Sequence, residues 1–200
     1  VGEDVRRGAM LFARGHRLRP QDLGGLAAAG IAHAPVVARP LVAILATGDE
    51  VVPAEAAPGP GQVRDVNSYT VAALVRRAGG APLTLGIAPD DAVALRSRAE
   101  AALAGSDILI ISAGSSVSAR DITADVIAGL GAPGVLVHGV AIHPGKPTIL
   151  AAAGGRPVFG LPCNPVSTMI AFELFVAPAL RQLLGAAPPL AAELTARLAR

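Results

Sequence analysis

Acidic residues follow three apolar segments of this sequence, at the points where buried strands would end. Asp49 and Glu50 follow the first segment, Asp90 follows the second, and Asp121 stands beyond the third. Carboxylates that meet beside a phosphate need a cation between them, and proteins bind Mg²⁺ with a few carboxylates plus phosphate oxygens. The pattern predicts a Mg²⁺-assisted site for a phosphorylated ligand. Taken singly, Asp90, Asp91 and Asp121 are also typical helix caps.

The third of these segments contains a loop suited to an anion. Four branched apolar residues, 108–111, predict a strand buried on both faces, and the small polar run 112–118 follows it. Backbone N–H groups, hydroxyls and the start of a helix together favour a phosphate or another oxyanion. The loop lacks both the G-x-G-x-x-G pattern and a Walker motif, so a standard dinucleotide or ATP site is disfavoured. The competing interpretation is a tight strand–helix connection without a ligand.

Two further loops carry groups that could do chemistry. Lys146 lies between Pro144 and Pro147, which stiffen the chain, so we expect its ammonium to contact the ligand; a plain surface lysine is the alternative. Cys163 is the only cysteine, and as a nucleophile it would need a base such as His143. We favour a passive loop position for this cysteine. The other histidines lack the spacing of metal ligands.

The elements that must position these groups alternate between strand and helix. That order predicts an α/β fold with a doubly wound, mostly parallel sheet, which binds ligands at the carboxyl ends of its strands. The polar segments above all fall at predicted strand ends. Strands are predicted at 41–46, 82–87, 107–111 and 135–142, with a hairpin over 148–153 and 157–159. Helices are predicted from 67 to 78, 89 to 105, 121 to 130 and 166 to 184, and 51–66 is predicted to be loop.

The two ends of the chain look different from this central part. Residues 1–37 predict a small αβ piece, with strands over 10–12 and 31–37 and a helix from Pro20 to Gly30. Residues 186–200 read as the entry to a further domain. Because the sequence begins with Val1 in a polar turn, we expect it to be a segment of a longer protein.

Composition narrows the class of protein. The chain is 52% hydrophobic but rich in alanine, only 2% aromatic, and has no apolar run near the ~18–20 residues that span a bilayer. A net charge of +2 with scattered arginines gives nucleic-acid binding little support. One cysteine excludes an internal disulfide, so the cytoplasm is the expected compartment.

The motifs in combination resemble the molybdopterin molybdenumtransferase family, which includes MoeA and the E domain of gephyrin. The resemblance covers essentially the whole chain. It is carried by the segments 2–4 (GED), 47–50 (TGDE), 67–69 (NSY), 89–91 (PDD), 112–121, 144–147 (PGKP) and 160–167 (GLPCNPVS).

The resemblance implies a reaction and an organisation. The substrates would be molybdate and adenylylated molybdopterin, with Mg²⁺ assisting, AMP released and molybdenum cofactor formed. Residues 38–185 would be a molybdopterin-binding domain of the MoaB/Mog type. Residues 1–37 would be the tail of a preceding linker and dimerisation domain, and 186–200 the start of a C-terminal β-barrel domain. The protein would be a cytoplasmic homodimer that could contact other cofactor-synthesis proteins.

The resemblance also implies roles for residues. Four carboxylates match functional positions of the family: Asp4, Glu50, Asp90 and Asp121, with Glu50 and Asp121 as the Mg²⁺ ligands. The substrate pocket would be lined by a larger set, namely Thr47, Gly48, Asp49, Asn67, Ser68, Ser112, Gly114, Ser115, Ser116, Ser118, Pro144, Gly145, Lys146, Asn164, Pro165 and Ser167.

Five positions depart from the family pattern. Ala113, Ser118 and Cys163 stand where glycine is usual, and Gly139 and His143 stand where lysine is usual. The retained carboxylates favour the transferase, whereas the missing cations favour a molybdopterin- or cofactor-binding module for storage, sensing or delivery. A molybdopterin adenylyltransferase ranks last, because its usual Gly-Gly-Thr-Gly loop is absent. The preference between molybdate and tungstate stays open.

Overall fold

A computed structural model describes residues 5–112, 117–186 and 195–196, with the backbone alone for 117–120. The chain divides into two compact units, which we describe separately. The larger is Ala38–Leu184, and the smaller combines Val1–Val37 with Gly185–Arg200.

The larger unit is built on one six-stranded sheet. The strand order is β4-β1-β5-β8-β7-β6; β4, β1, β5 and β8 run parallel, and β7 pairs antiparallel with both of its neighbours. The prediction of a doubly wound, mostly parallel sheet is confirmed. Its strands are β1 (Leu41–Thr47), β4 (Ala81–Ala88), β5 (Ile108–Ser112), β6 (Pro133–His138), β7 (Ile149–Ala153) and β8 (Arg156–Leu161).

Helices cover both faces of this sheet. They are α2 (Asn67–Arg77), α3 (Ala92–Ala104), α4 (Val117–Ala128), and α5 (Pro165–Ala171) and α6 (Ala177–Leu183), joined by a π-helical segment, Phe172–Val176. Strands β1 and β5 are apolar on both faces because successive side chains face opposite layers. Val42 and Ile110 pack with the layer of α2, α5 and α6, whereas Leu45 and Leu109 pack with α3 and α4.

The helical run from Pro165 to Leu183 is the one described segment long and apolar enough to span a membrane by length and composition. This helix is longer than any uninterrupted run of apolar residues in the sequence. Phe172, Val176 and Leu180 along it are almost completely buried in the core beneath the sheet. The core of the larger unit therefore accounts for the apolar character of this helix.

A bulge interrupts edge strand β4. Ile44 pairs with Thr84, but Ala46 pairs with Ile87, so β4 contains one extra residue between these pairs. Gly86 adopts φ +76 there. The guanidinium of Arg98, on α3, donates hydrogen bonds to the carbonyls of Leu85 and Ile87 and so holds the bulge from both sides.

The segment after β1 is more ordered than predicted. It contains a short parallel pair, β2 (Val51–Val52) and β3 (Val63–Arg64), where loop alone is predicted. Arg64 Nε donates to the carbonyls of Ala54 and Ala56, both at 3.1 Å, and so holds the connection between the two strands.

In the smaller unit, the predicted helix is present as α1 (Pro20–Ala28), but the strands predicted over 10–12 and 31–37 are wrong. A strand needs a hydrogen-bonding neighbour, and none pairs with these segments in the described part of the chain. Met10 and Val36 are instead exposed, at 82% and 73%. Asp22 organises the start of α1 by accepting from the Arg19 backbone and guanidinium.

Candidate functional site at the carboxyl edge of the sheet

The sheet topology brings the polar segments to one edge. Strands β4, β1, β5 and β8 run parallel, so the segments that follow them leave the sheet at the same end. The β6–β7 connection, residues 139–148, joins them because β7 is antiparallel and begins opposite the end of β8, with Ile149 paired to Gly160. Strand β6 ends later in the prediction than in the structure, where 139–142 belong to this connection.

Thr47, Asp49 and Asp90 form one network at this edge. The buried Thr47 hydroxyl donates to Asp90 Oδ1 at 3.0 Å and approaches the carbonyl of Pro89 at 3.4 Å. The Asp49 and Asp90 amides each approach the other residue's carboxylate, at 3.4 and 3.1 Å. Asp91, not Asp90, caps α3 by accepting from Ala94 N at 2.7 Å. Asp90 therefore ties the ends of two neighbouring strands and keeps a defined orientation.

Gly48 fixes the turn after β1. It is buried with φ +142, a conformation that side chains disfavour. A Cβ built there would lie 2.7 Å from Glu50 Oε2 and 2.8 Å from Val51 Cγ2. The carboxylate of Glu50 consequently lies directly against this turn, in space that only glycine leaves open.

Asn67, at the start of α2, connects three of the segments. Its Nδ2 donates to Ser112 Oγ at 3.1 Å and to the Cys163 carbonyl at 2.7 Å. Asn67 is 7% exposed, and its Oδ1 has no hydrogen-bond partner among the described residues. Buried amide oxygens are normally paired, so this oxygen is ready to accept from a bound group.

Other predicted site residues shape their loops. Asn164 caps α5 by accepting from Val166 N at 3.0 Å and Ser167 N at 3.3 Å, and Pro165 occupies the first turn. The Ser167 hydroxyl is 3.5 Å from Asn164 Oδ1. Cys163 is half-exposed and engaged through its carbonyl, and no hydrogen bond joins it to His143 in the described chain.

The loop containing Lys146 is held rigidly by its backbone. The buried hydroxyl of Thr148 donates to the Gly145 carbonyl at 2.7 Å, and Val140 N donates to the Lys146 carbonyl at 2.9 Å. Gly145 has φ +119, and a Cβ there would approach Ile142 Cδ1 to 2.8 Å. The Lys146 side chain is exposed beside Pro144, with no ion pair to any residue the structure describes.

Asp121 and Ser118 lie in α4. This helix begins at Val117, earlier than predicted, so Asp121 is an exposed residue of its second turn and not an N-cap. Ser118 belongs to the helix and not to the loop. Asp4, Gly114, Ser115 and Ser116 lie outside the described residues, as does Ala113.

The carboxylates at this edge are suited to a cation whose remaining ligands are water and substrate oxygen atoms. No three His, Cys, Asp or Glu side chains in the described ranges are arranged to hold a metal ion together. Mg²⁺ commonly takes only one or two protein carboxylates and completes its octahedron with water and substrate phosphates. Asp49, Glu50 and Asp90 offer oxygen atoms of the kind that Mg²⁺ accepts one or two at a time beside substrate phosphates.

Comparison with known proteins identifies the family of the chain. Residues 43–182 match the family model described as a probable molybdopterin binding domain. The molybdopterin molybdenumtransferase of Nostoc sp. is 37% identical over 196 residues, covering 93% of this chain and 45% of that protein. The chain thus spans about half the length of the curated relatives it matches.

Solved structures show the same relationship. A molybdopterin biosynthesis MoeA protein from Pyrococcus horikoshii superposes with a TM-score of 0.82 at 40% identity, covering 91% of this chain and 45% of that one. The molybdopterin biosynthesis enzyme MoaB from Thermus thermophilus, 18% identical with a TM-score of 0.54 over 73% of this chain and 97% of its own, shares the fold. The chain belongs to the molybdopterin-binding domain family.

Proposed function

We propose that the full-length protein is a molybdopterin molybdenumtransferase and that this chain supplies its molybdopterin-binding part. The reaction would insert molybdate into adenylylated molybdopterin and release AMP. The observation that carries the proposal is the buried, unpartnered Oδ1 of Asn67 at the edge where the strand-end segments meet. The transferase names of relatives such as the Nostoc protein support the same activity.

We assign different roles in binding and catalysis to the residues of this edge. Asn67 Oδ1 accepts a hydrogen bond from the pterin, and Thr47 and Asp49 keep Asp90 oriented towards the substrate. The segment 112–118 holds phosphate oxygens through its N–H groups. Lys146, the only lysine of the chain, offers an exposed cation on a firmly held loop to the phosphoanhydride or to molybdate.

Glu50 and Asp121 are the residues that we assign to Mg²⁺. When bound, the ion would neutralise the phosphoanhydride and stabilise the leaving phosphate. Glu50 lies against the turn at Gly48, and Asp121 projects from the second turn of α4. Asp4 is proposed as a further functional carboxylate on the strength of the resemblance alone.

The proposal also covers the domain organisation and oligomeric state of the full-length protein. Residues 38–185 form the molybdopterin-binding domain, 1–37 the tail of a preceding domain, and 186–200 the start of a β-barrel domain. A cytoplasmic homodimer that contacts other cofactor-synthesis proteins would complete the enzyme.

The deciding assay uses the full-length protein with adenylylated molybdopterin, molybdate and Mg²⁺, followed by measurement of AMP. We expect AMP release that depends on molybdate and falls on removal of Mg²⁺. Pterin binding without AMP release would identify a non-catalytic binding module instead. Gly139 and His143, at positions where the family resemblance implies lysine, favour that second candidate. Consumption of ATP with free molybdopterin would point to an adenylyltransferase.

Asp121 provides a sharper test within the same assay. We expect Asp121→Ala to reduce Mg²⁺-dependent turnover about 10²–10³-fold, with a smaller loss of pterin affinity. Asp125→Ala, one turn later on α4 and also exposed, is the matched control and should keep both. Equal losses of turnover and binding in Asp121→Ala would refute its assignment to the metal.

A further inference from the structure

The segment 51–64, which connects β1 to α2, forms a strap. Strands β2 and β3 are its two ends, and residues 53–62 lie between them. Val51, Pro53 and Ala54 line a cavity of about 530 Å³ whose other walls are α2 and β4. None of the residues of the strap, all of which the structure describes, is buried. A segment with so little apolar packing depends on polar contacts for its position.

Tyr69, on α2, ties the middle of the strap to that helix. Its hydroxyl donates to Glu55 Oε1 at 3.0 Å, and its ring lines the cavity. Arg64 Nε, on β3, donates to the carbonyls of Ala54 and Ala56, the two neighbours of that glutamate. The hydrogen bond from Tyr69 therefore reaches β3 through the arginine side chain.

Strand β3 in turn holds the backbone of Glu50. Val63 N donates to the Glu50 carbonyl at 2.8 Å. On the other side of the residue, Val51 N donates to the Gly48 carbonyl at 3.0 Å and closes the turn against which the Glu50 carboxylate lies. The contacts that begin at Tyr69 thus end at a carboxylate of the candidate site.

We propose that Tyr69 is a positioning residue for Glu50 and acts through the strap. Loss of the phenol hydroxyl would release the middle of the strap, and β3 would then hold the Glu50 backbone less firmly. The role requires no contact between Tyr69 and the substrate. The inference rests on the proposed function, because Glu50 is assigned to Mg²⁺ there. Replacing a residue that orients a metal ligand typically lowers metal affinity about 10–100-fold.

The Mg²⁺ dependence of turnover tests this role. AMP release by the full-length protein is measured with adenylylated molybdopterin and molybdate over a series of Mg²⁺ concentrations. In Tyr69→Phe we expect the half-saturating Mg²⁺ concentration to rise about tenfold, with a smaller change in the rate at saturating Mg²⁺. Thr70→Val is the matched control, because it removes the next hydroxyl of α2, which bonds to the Val66 carbonyl. An unchanged Mg²⁺ response in Tyr69→Phe would refute the role.

Two substitutions of Glu55 separate the hydrogen bond from the charge. Glu55→Gln keeps a side-chain oxygen that can accept from Tyr69, and Glu55→Ala removes it. We expect Glu55→Ala to reproduce the shift of Tyr69→Phe, and Glu55→Gln to stay near the unmodified protein. Combining Tyr69→Phe with Glu55→Ala should shift the Mg²⁺ response no further than either change alone. Equal shifts in the alanine and glutamine variants would overturn the inference.

Hydrogen exchange provides a readout that needs no turnover. Mass spectrometry follows the exchange of peptides over 50–66 in the full-length protein without substrates. We expect faster exchange in Tyr69→Phe, because the released strap would hold the bond from the Val63 amide to the Glu50 carbonyl less firmly. If exchange accelerates but the unmodified protein releases no AMP, the transferase assignment fails and the link from Tyr69 to Glu50 stands. If exchange is unchanged, or accelerates without a change in the Mg²⁺ response, the positioning role is wrong.

Discussion

The side-chain amide of Asn67 donates to Ser112 Oγ across 3.1 Å and joins the start of α2 to the end of β5. The same Nδ2 donates to the carbonyl of Cys163. Because both bonds are largely shielded from water, we expect Asn67→Ala to lower the free energy of unfolding by about 1–3 kcal/mol. Urea denaturation measures this loss. Pterin binding should fall as well, because the variant also removes the unpaired Oδ1.

The variant Ser112→Ala isolates the contribution of the Asn67–Ser112 hydrogen bond to stability. It should cost less than Asn67→Ala, because the amide keeps its bond to the Cys163 carbonyl. The double variant should reveal a coupling energy of about 0.5–1.5 kcal/mol between the two side chains. Strict additivity of the two losses would show that the Asn67–Ser112 bond is energetically silent.

Gly48→Ala should be costly for two separate reasons. The residue has φ +142, and the new Cβ would collide with Glu50 Oε2 and Val51 Cγ2. Gly154→Ala is the matched control, because Gly154 has φ +57 and open space around it. We expect the control to lose about 1–2 kcal/mol from backbone strain and Gly48→Ala to lose more. Equal losses in thermal unfolding would mean that Glu50 moves aside at no cost.

Arg98 should control how β4 delivers Asp90 to the edge. Its guanidinium holds the carbonyls on either side of Gly86, so its loss would free the bulge to slip by one residue. We expect Arg98→Ala to destabilise the protein by about 1–3 kcal/mol and to shift the Asp90 amide resonance. Arg98→Lys should recover only part, because an ammonium lacks the fork that spans two carbonyls.

Arg96→Ala is the control for that prediction. Arg96 lies on α3 as well, is exposed, and among the described residues approaches only the Gly129 carbonyl, at 3.4 Å. Its loss should leave the Asp90 resonance in place. If the two variants shift that resonance equally, the bulge is held by something other than Arg98.

Asp22 should make the smaller unit sensitive to acid. Hydrogen bonds from the Arg19 side chain, then from its backbone, and contact with His16 hold the pKa of Asp22 far below its ordinary value. A lowered pKa means that the carboxylate's contribution to stability is complete above the ordinary value and is lost as the pH falls through the folded-state pKa. NMR titration should show this low midpoint. Arg19→Met should raise it, and Arg17→Met, at an exposed position, should not.

The larger unit could be predicted because its strands are apolar throughout and its turns are marked by glycine, proline and acidic residues. A run of four branched apolar residues, such as 108–111, is typical of a strand buried on both faces. The smaller unit could not be predicted in the same way. Short apolar segments such as 31–37 have strand propensity, but a strand also needs a neighbour, which local sequence does not reveal.

The candidate site was partly predictable for the same reason. Parallel strands bring their ends together, so the polar segments could be assigned to one edge before any contact was known. Which of two adjacent aspartates caps α3 depends on register, and the bulge in β4 is invisible in the sequence. The bond from Asn67 to Cys163 spans 96 positions and has no local signal.

Because β4 contains a bulge, the number of its residues does not by itself determine where Asp90 lies at the carboxyl edge. Ile44 pairs with Thr84 and Ala46 with Ile87, so a chain that lacked Gly86 could form both pairs in an uninterrupted ladder. Asp90 would still meet Thr47, and the two carbonyls that Arg98 binds would no longer flank a bulge. A single-codon deletion of Gly86 should therefore leave Asp90 beside Thr47, whereas deletion of Ala88 or Pro89 would move Asp90 one residue away from Thr47.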